Sequence, residues 1–348
     1  MLIAKSIFIA AVALAATAAS AGLSAPAQGA DRSASVLIYH RFGEDEIPST
    51  NIRLEQFDAH IAEITGGGYA TPELGELVAR LRSGRGFEER SVVITADDGY
   101  RSVMTEAWPR LKAAGIPLAL FISTDQIDRG GDRTLSWTDI RALRAEGVTI
   151  GHHGAAHLHM VNAGLEAALD DIRRASRRFQ TELGFVPKIF AYPYGEYSLE
   201  LAKAVEAEGF DAAFAQYSGA IATGGDAFGL PRFPLNERYG GADRFKLVAS
   251  ARALPVTAVV PTGPVIRGND ANPPNYGFTV DPGVRGLSAL ACFPSHLGRA
   301  ADLEVIADNR VEVRFDAPMP AGRNRINCTM PGPDRRWYWL GKFFYVME

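Results

Sequence analysis

Short apolar strands alternate with helical segments from residue 34 to residue 253, and this alternation constrains the chain more than any other feature. Runs at 34–39, 91–94, 118–122, 148–150, 187–192 and 211–215 are rich in β-branched and apolar residues, and so predict buried strands. Between them, 54–64, 72–81, 102–114, 138–146, 165–183 and 199–208 carry apolar residues at helical spacing, with Thr138 as an expected N-cap. Strands separated by helices pair in parallel, because the crossover returns each strand in the same direction. The predicted fold class is therefore α/β, a (β/α) barrel ending with 230–234 and the helix 243–253. Such barrels carry their chemistry where strands end.

Two clusters fall at such ends. The strand at 91–94 runs into Thr95-Ala96-Asp97-Asp98-Gly99-Tyr100, and a helix follows. Adjacent residues leaving a strand point different ways, so the two carboxylates can take different roles. Two like charges this close do not both ionise freely without a cation nearby. A helix N-cap with a turn glycine would leave the same trace, so the second cluster decides. The chain has 7 histidines, four of them between 152 and 159. His153 and His157 are four apart, so one helical turn would set both imidazoles on one side. Two histidines and an aspartate are a ligand set for Zn²⁺ or a similar divalent ion with open positions. His152 and His159 are alternative ligands. His40 also ends a strand, and Tyr192-Pro193-Tyr194-Gly195 ends another. That turn can present a backbone N–H and a ring to a substrate. Gly66-Gly67-Gly68 lacks the Lys-Ser/Thr of a phosphate loop, and the arginines at 173–174 and 177–178 read as a solvated helix face.

With 348 residues the chain suits two domains. Composition shifts near Pro255: 261–282 is rich in Pro, Gly and Asn, and the rest alternates polar and apolar residues between turns. This predicts a barrel over 31–255 and a small antiparallel β-sandwich over 256–348. The aromatic residues at 337–339 and 343–345 either fill its core or face out to stack on sugars. Residues 1–30 have a Lys5 n-region, an apolar run and small residues, the pattern of a cleaved signal peptide. The expected location is periplasmic or extracellular, with no stable membrane insertion after cleavage. In an exported protein Cys292 and Cys328 predict a disulfide. A net charge of −4 offers no basic field for nucleic acid. Nothing in the sequence fixes an oligomeric state.

The ordered set Thr95-Ala96-Asp97-Asp98-Gly99, His153 with His157, and Tyr192-Pro193-Tyr194-Gly195 resembles the polysaccharide deacetylases, the NodB-homology or carbohydrate esterase four family, over about 36–254. The resemblance implies a distorted (β/α) barrel that hydrolyses N-acetyl groups from a glycan and releases acetate. It implies Asp98, His153 and His157 as metal ligands, Asp97 as general base, and the Tyr194 N–H in the oxyanion hole. The divalent metal would be Zn²⁺, with Co²⁺, Ni²⁺ or Fe²⁺ also suited to such a set. Leu37-Ile38-Tyr39-His40 is similar to the poly-N-acetylglucosamine deacetylase branch, whose motifs are circularly permuted and whose N-terminal strand supplies the acid; that makes His40 the acid here. The chain departs from the pattern at Ala96 (usually Phe), at Gly154 (usually Ser or Thr) and at Ala191-Tyr192, where an Arg that orients the catalytic Asp is usual. Arg232 is the candidate to replace that Arg. A non-catalytic carbohydrate-binding protein, or a hydrolase of another C–N bond, are the competing readings.

Overall fold

The computed structural model describes residues 32–268 and 271–347; the expected signal peptide lies outside the described residues. Seven strands build the barrel wall: β1 (Ser33–Tyr39), β2 (Ser91–Asp97), β3 (Leu118–Ile122), β4 (Thr149–His152), β5 (Ile189–Ala191), β6 (Ala212–Phe214) and β7 (Phe233–Pro234). They lie side by side in the order β7-β1-β2-β3-β4-β5-β6, every pair along this path parallel, and a short eighth strand, Ile221–Ala222, pairs antiparallel with the start of β1. The sheet curls into a half-barrel. At its seam Leu230 bridges to Phe214 and its N–H donates to the Ala213 carbonyl at 3.0 Å.

Both faces of this sheet are covered, which is why the strands are apolar throughout. On β2, Val92, Ile94 and Ala96 face the helix layer together with Leu37, Tyr39 and Leu120. Val93 faces the interior with Val36, Phe121 and Phe214. The strand period of two then aims Thr95 and Asp97 inward as well. That phase is what carries a carboxylate to the barrel axis.

Two helix expectations need correction. The helix Trp137–Ala145 is capped by Ser136, not Thr138. Ser136 Oγ accepts the Asp139 N–H at 3.2 Å and the Asp139 carboxylate accepts the Ser136 N–H at 2.8 Å, a reciprocal capping box. The stretch expected as one helix over 102–114 is a π-turn at Val103–Ala107 followed by an α-helix at Trp108–Ala113. Pro109 has no N–H to continue the α ladder, and the ladder widens just before it.

Past the barrel the chain forms two further sheets. One holds Arg252–Ala253, Trp337–Val346, Gly322–Pro331 and Ala291–Pro294; the other holds Val256–Val260, Tyr276–Val280, Arg310–Arg314 and Asp302–Ile306. Tyr276, Phe278 and Val311 from one sheet meet Ile326, Cys328 and Phe344 from the other in a shared core. Cys292 and Cys328 are register partners on adjacent antiparallel strands and are disulfide-bonded. Arg252–Ala253 already pairs with Tyr338 and Trp339, so the chain enters this sheet before Pro255. Trp339 packs edge-on against Phe233 of the barrel at 5.1 Å. Gly341 lies so close to the Ser218 backbone that any Cβ there would overlap it. The C-terminal aromatics serve this packing: Trp339, Phe343, Phe344 and Tyr345 are buried, and Trp337 is 38% exposed.

Candidate active site

The chain reverses immediately after Asp97. Asp98 has φ 75° and Gly99 φ 83°, so two consecutive carboxylates leave β2 in different directions. Asp97, 2% exposed, meets the fully buried Arg232 just ahead of β7. Arg232 donates from Nη1 to Oδ1 at 2.7 Å and from Nη2 to Oδ2 at 2.8 Å, and from Nε to the Ala215 carbonyl at 3.0 Å. A bidentate pair of this kind satisfies both buried charges. Burial pushes the Asp97 pKa up, but Arg232 and then His153 outweigh it, and the net shift is down. The carboxylate is therefore held ionised.

Asp98 turns instead toward the histidines. Its Oδ1 lies 3.3 Å from His157 Nε2 and 3.6 Å from His153 Nε2. One donor atom from each of Asp98, His153 and His157 falls within 4.8 Å of the others. Asp98 Oδ1 is buried without a hydrogen-bond partner, a costly state that a cation would relieve. His153 Nδ1 is 2.7 Å from the Ala191 carbonyl. That contact assigns the proton to Nδ1 and leaves the Nε2 lone pair facing Asp98. Burial lowers the His153 pKa to about 4, and the neutral imidazole is the form that ligates. The donor set thus fits a divalent metal.

The route by which the histidines meet differs from the expected helical turn. Residues 153–157 form a loop in which Gly154 (φ 72°) and His157 (φ 54°) are left-handed, and their convergence comes from the loop. Asp171, buried on the helix Leu165–Leu183, shapes it: Oδ2 accepts the Ala155 N–H at 2.7 Å and Oδ1 the Ala156 N–H at 2.9 Å. A Cβ at Gly154 would lie 2.7 Å from Asp171 Oδ2, so the glycine that departs from the expected Ser or Thr makes room for the carboxylate that organises the loop.

The alternative ligands stand elsewhere. His152 points to the opposite face, among Phe179, Phe190 and Phe210, with Nε2 3.2 Å from Ser176 Oγ and Nδ1 accepting the Gly154 N–H. His159 pairs with Glu196 at 2.9 Å and stacks on the Tyr194 ring at 3.8 Å. His40, Asp97, Asp98, His153, His157 and Tyr194 all line one pocket of about 590 Å³. Tyr194 sits in its wall with φ 58°, inside the turn Pro193–Gly195. The pocket is also lined by Gln126, Gln216, Tyr239, Arg323 and Arg325, none of which sequence reasoning had placed there. The two arginines arrive from the C-terminal strand Gly322–Pro331. Their i, i+2 spacing in Arg323-Asn324-Arg325 was visible, but which sheet face would meet the barrel was not.

At the strand ends of this parallel α/β half-barrel, an Asp-His-His cluster with the spacing of a cation site stands beside an aspartate clamped by arginine. Residues 84–213 match the family model described as polysaccharide deacetylase. "Putative polysaccharide deacetylase YxkH" of Bacillus subtilis is 24% identical over 207 residues, covering 60% of this chain and 73% of that protein. The Streptococcus pyogenes deacetylase PplD, solved in complex with acetate, shares the fold with a TM-score of 0.57 at 16% identity, over 62% of this chain and 98% of that one. IcaB from Ammonifex degensii gives a TM-score of 0.56 at 23% identity, over 63% and 97%. The family match includes Asp97, Asp98, His153, His157 and Tyr194, whereas His40, Arg232, Arg323 and Arg325 lie outside it.

Proposed function

We propose that the protein is a metal-dependent deacetylase that hydrolyses N-acetyl groups on an exported or cell-envelope polysaccharide and releases acetate. The observation that carries this reading is the adjacency of two different carboxylates at one pocket floor: Asp98 grouped with His153 and His157, and Asp97 ionised under Arg232. Zn²⁺ heads the candidate ions, held by Asp98, His153 and His157. A divalent cation in such a site acidifies water and polarises a carbonyl.

The residues around it have separable tasks. Asp97 accepts a proton from the nucleophilic water. Its clamp fixes the carboxylate's orientation and keeps it unprotonated, at the cost of basicity, so Asp97 suits water that is already acidified. Positioned general bases are typically worth about 10²–10⁴-fold. The Tyr194 N–H is the candidate donor to the tetrahedral oxyanion. His40, which lines the pocket just after β1, is the candidate acid for the departing amine, which leaves poorly unless protonated. The glycan specificity is expected to be of the N-acetylglucosamine type. The signal-like residues 1–30 and the Cys292–Cys328 disulfide support export to an oxidising compartment.

The test is acetate release from N-acetylated glycans (chitin oligomers, peptidoglycan and poly-N-acetylglucosamine) with and without chelator. Release that stops on chelation and returns with added Zn²⁺ is expected. Release that is indifferent to chelation overturns the metal-dependent reading.

A further inference from the structure

The C-terminal strand Gly322–Pro331 buries Asn324, Ile326, Cys328 and Met330 and turns the alternate residues toward the barrel. The period of two therefore sets Arg323 and Arg325 side by side on the active-site wall. Arg323 is already engaged. Its Nη1 donates to the Tyr194 carbonyl at 3.3 Å, and its Nε lies 3.5 Å from Glu196. Arg325 is not. Its Nε donates to the Gln216 carbonyl at 3.3 Å, and among the described residues no carboxylate pairs with it. The side chain is half-buried, and burial, then the neighbouring Arg323 charge, pull its pKa down.

Each nearby carboxylate has other partners. Both Asp97 oxygens are bonded to Arg232, Asp98 faces the histidines, and Glu196 is shared by His159 and Arg323. A guanidinium withdrawn from water beside a second one, with no counter-ion, is unfavourable. The missing anion is therefore expected from the ligand.

We propose that Arg325, flanked by Arg323, binds an acidic group, carboxylate or phosphate, on the same glycan whose N-acetyl group enters the Asp97 pocket. The substrate class is thus an acidic N-acetylated glycan, and the C-terminal sheet is a specificity wall of the active site. A planar guanidinium matches either anion bidentately, which a neutral sugar cannot reproduce. The inference rests on the deacetylase reading for its reaction, though not for its binding.

The test uses the full chain with added Zn²⁺ and three matched N-acetylated oligosaccharides: one neutral, one bearing a carboxylate, one bearing a phosphate. Charge-assisted hydrogen bonds imply a kcat/KM preference for an acidic substrate of roughly 10–100-fold, carried by KM. In Arg325→Gln that ratio is expected to fall to near one, and in Arg325→Lys to keep part of its value. The larger of the two acidic arms identifies the anion. Equal kcat/KM on neutral and acidic substrates in the unmodified protein overturns the proposal, and so does an undiminished ratio in Arg325→Gln. If no oligosaccharide releases acetate, the deacetylase reading fails, and calorimetric binding of the same three ligands decides the anion site. Tighter acidic binding that Arg325→Gln abolishes upholds it; equal affinities overturn it. Circular dichroism checks that the variants fold, and Arg323→Gln gives the same ratio readout should Arg325→Gln not.

Discussion

The two walls of the active-site pocket are assembled differently. One wall is local: Asp97, Asp98, His153, His157 and Tyr194 sit at the ends of β2, β4 and β5 or in the loops leaving them, within motifs a few residues long. The other is cationic and distant. Arg232, fully buried behind the pocket, reaches Asp97 across 135 positions of sequence, and in the wall itself Arg323 touches the Tyr194 carbonyl across 129. The acidic and metal-type groups thus come from motifs, while the groups that orient them and select among ligands come from how the barrel seam closes and what docks against it.

The sharpest test of the local wall is Asp97→Asn. It keeps the shape and the Asp98-His153-His157 group but removes the proton acceptor. Acetate release is expected to fall about 10²–10⁴-fold while metal content, read by elemental analysis, stays near that of the unmodified protein. Undiminished turnover would remove Asp97 from the base role. The corresponding test of the distant groups is Arg232→Gln. Breaking one side of a buried pair typically costs about 3–5 kcal/mol, so the urea midpoint should fall with an unchanged m-value. Arg232→Lys should recover only part of it, because an ammonium cannot span both oxygens. A variant as stable as the parent would mean that the clamp is not integral to the fold.

This division explains what could be read in advance. The parallel (β/α) construction followed from alternating strands and helices, and so did the place of Asp97 and Asp98 at a strand end; which of the two aims inward came only from the packing of Val93 beside Phe121 and Phe214. The convergence of His153 and His157 was visible too, but its cause was misread. Spacing by four suggested a helix, whereas Gly154 and His157 adopt left-handed backbone around Asp171. Asp171 itself carried no functional signal in the sequence. Only the packing of its helix against the loop reveals it as a buried acceptor. Arg325 left no usable trace, since its importance comes from the face that docks, and docking is a tertiary property.

Asp171 therefore offers a smaller and more selective break. Asp171→Asn keeps the volume but leaves one oxygen to hold two backbone N–H groups. The loop carrying His157 should loosen, and partners that orient metal ligands typically matter about 10–100-fold in affinity. A competition titration with a chromophoric chelator measures this, with Asp97→Asn as the control that retains metal. Unaltered affinity would show that the loop holds its shape without the carboxylate.

The smallest effect separates two buried histidines with similar depressed pKa values and different surroundings. Burial lowers both His153 and His60 to about 4. His153 faces the Asp98 group; His60 is in the helix layer, stacked on Phe245 at 4.0 Å, with Nδ1 3.0 Å from the Tyr39 hydroxyl and Nε2 2.8 Å from the Gly240 carbonyl. Those partners suit one neutral tautomer, with Nε2–H donating and Nδ1 accepting. Between pH 6.5 and 4 the unfolded chain binds a proton at this position and the folded one does not, so stability rises with pH in that window and is lost as pH falls through it. From pH 6.5 to 5.5 His60 should account for about 1 kcal/mol of that loss. Urea unfolding of the unmodified protein and His60→Gln at both pH values measures this share, which the variant should lack. Metal loading should change the His153 contribution, because a cation competes with the proton for Nε2, and leave that of His60 alone. A His60 share that moved with metal would tie the helix layer to the pocket and erase the distinction between a histidine kept for packing and one kept for ligation.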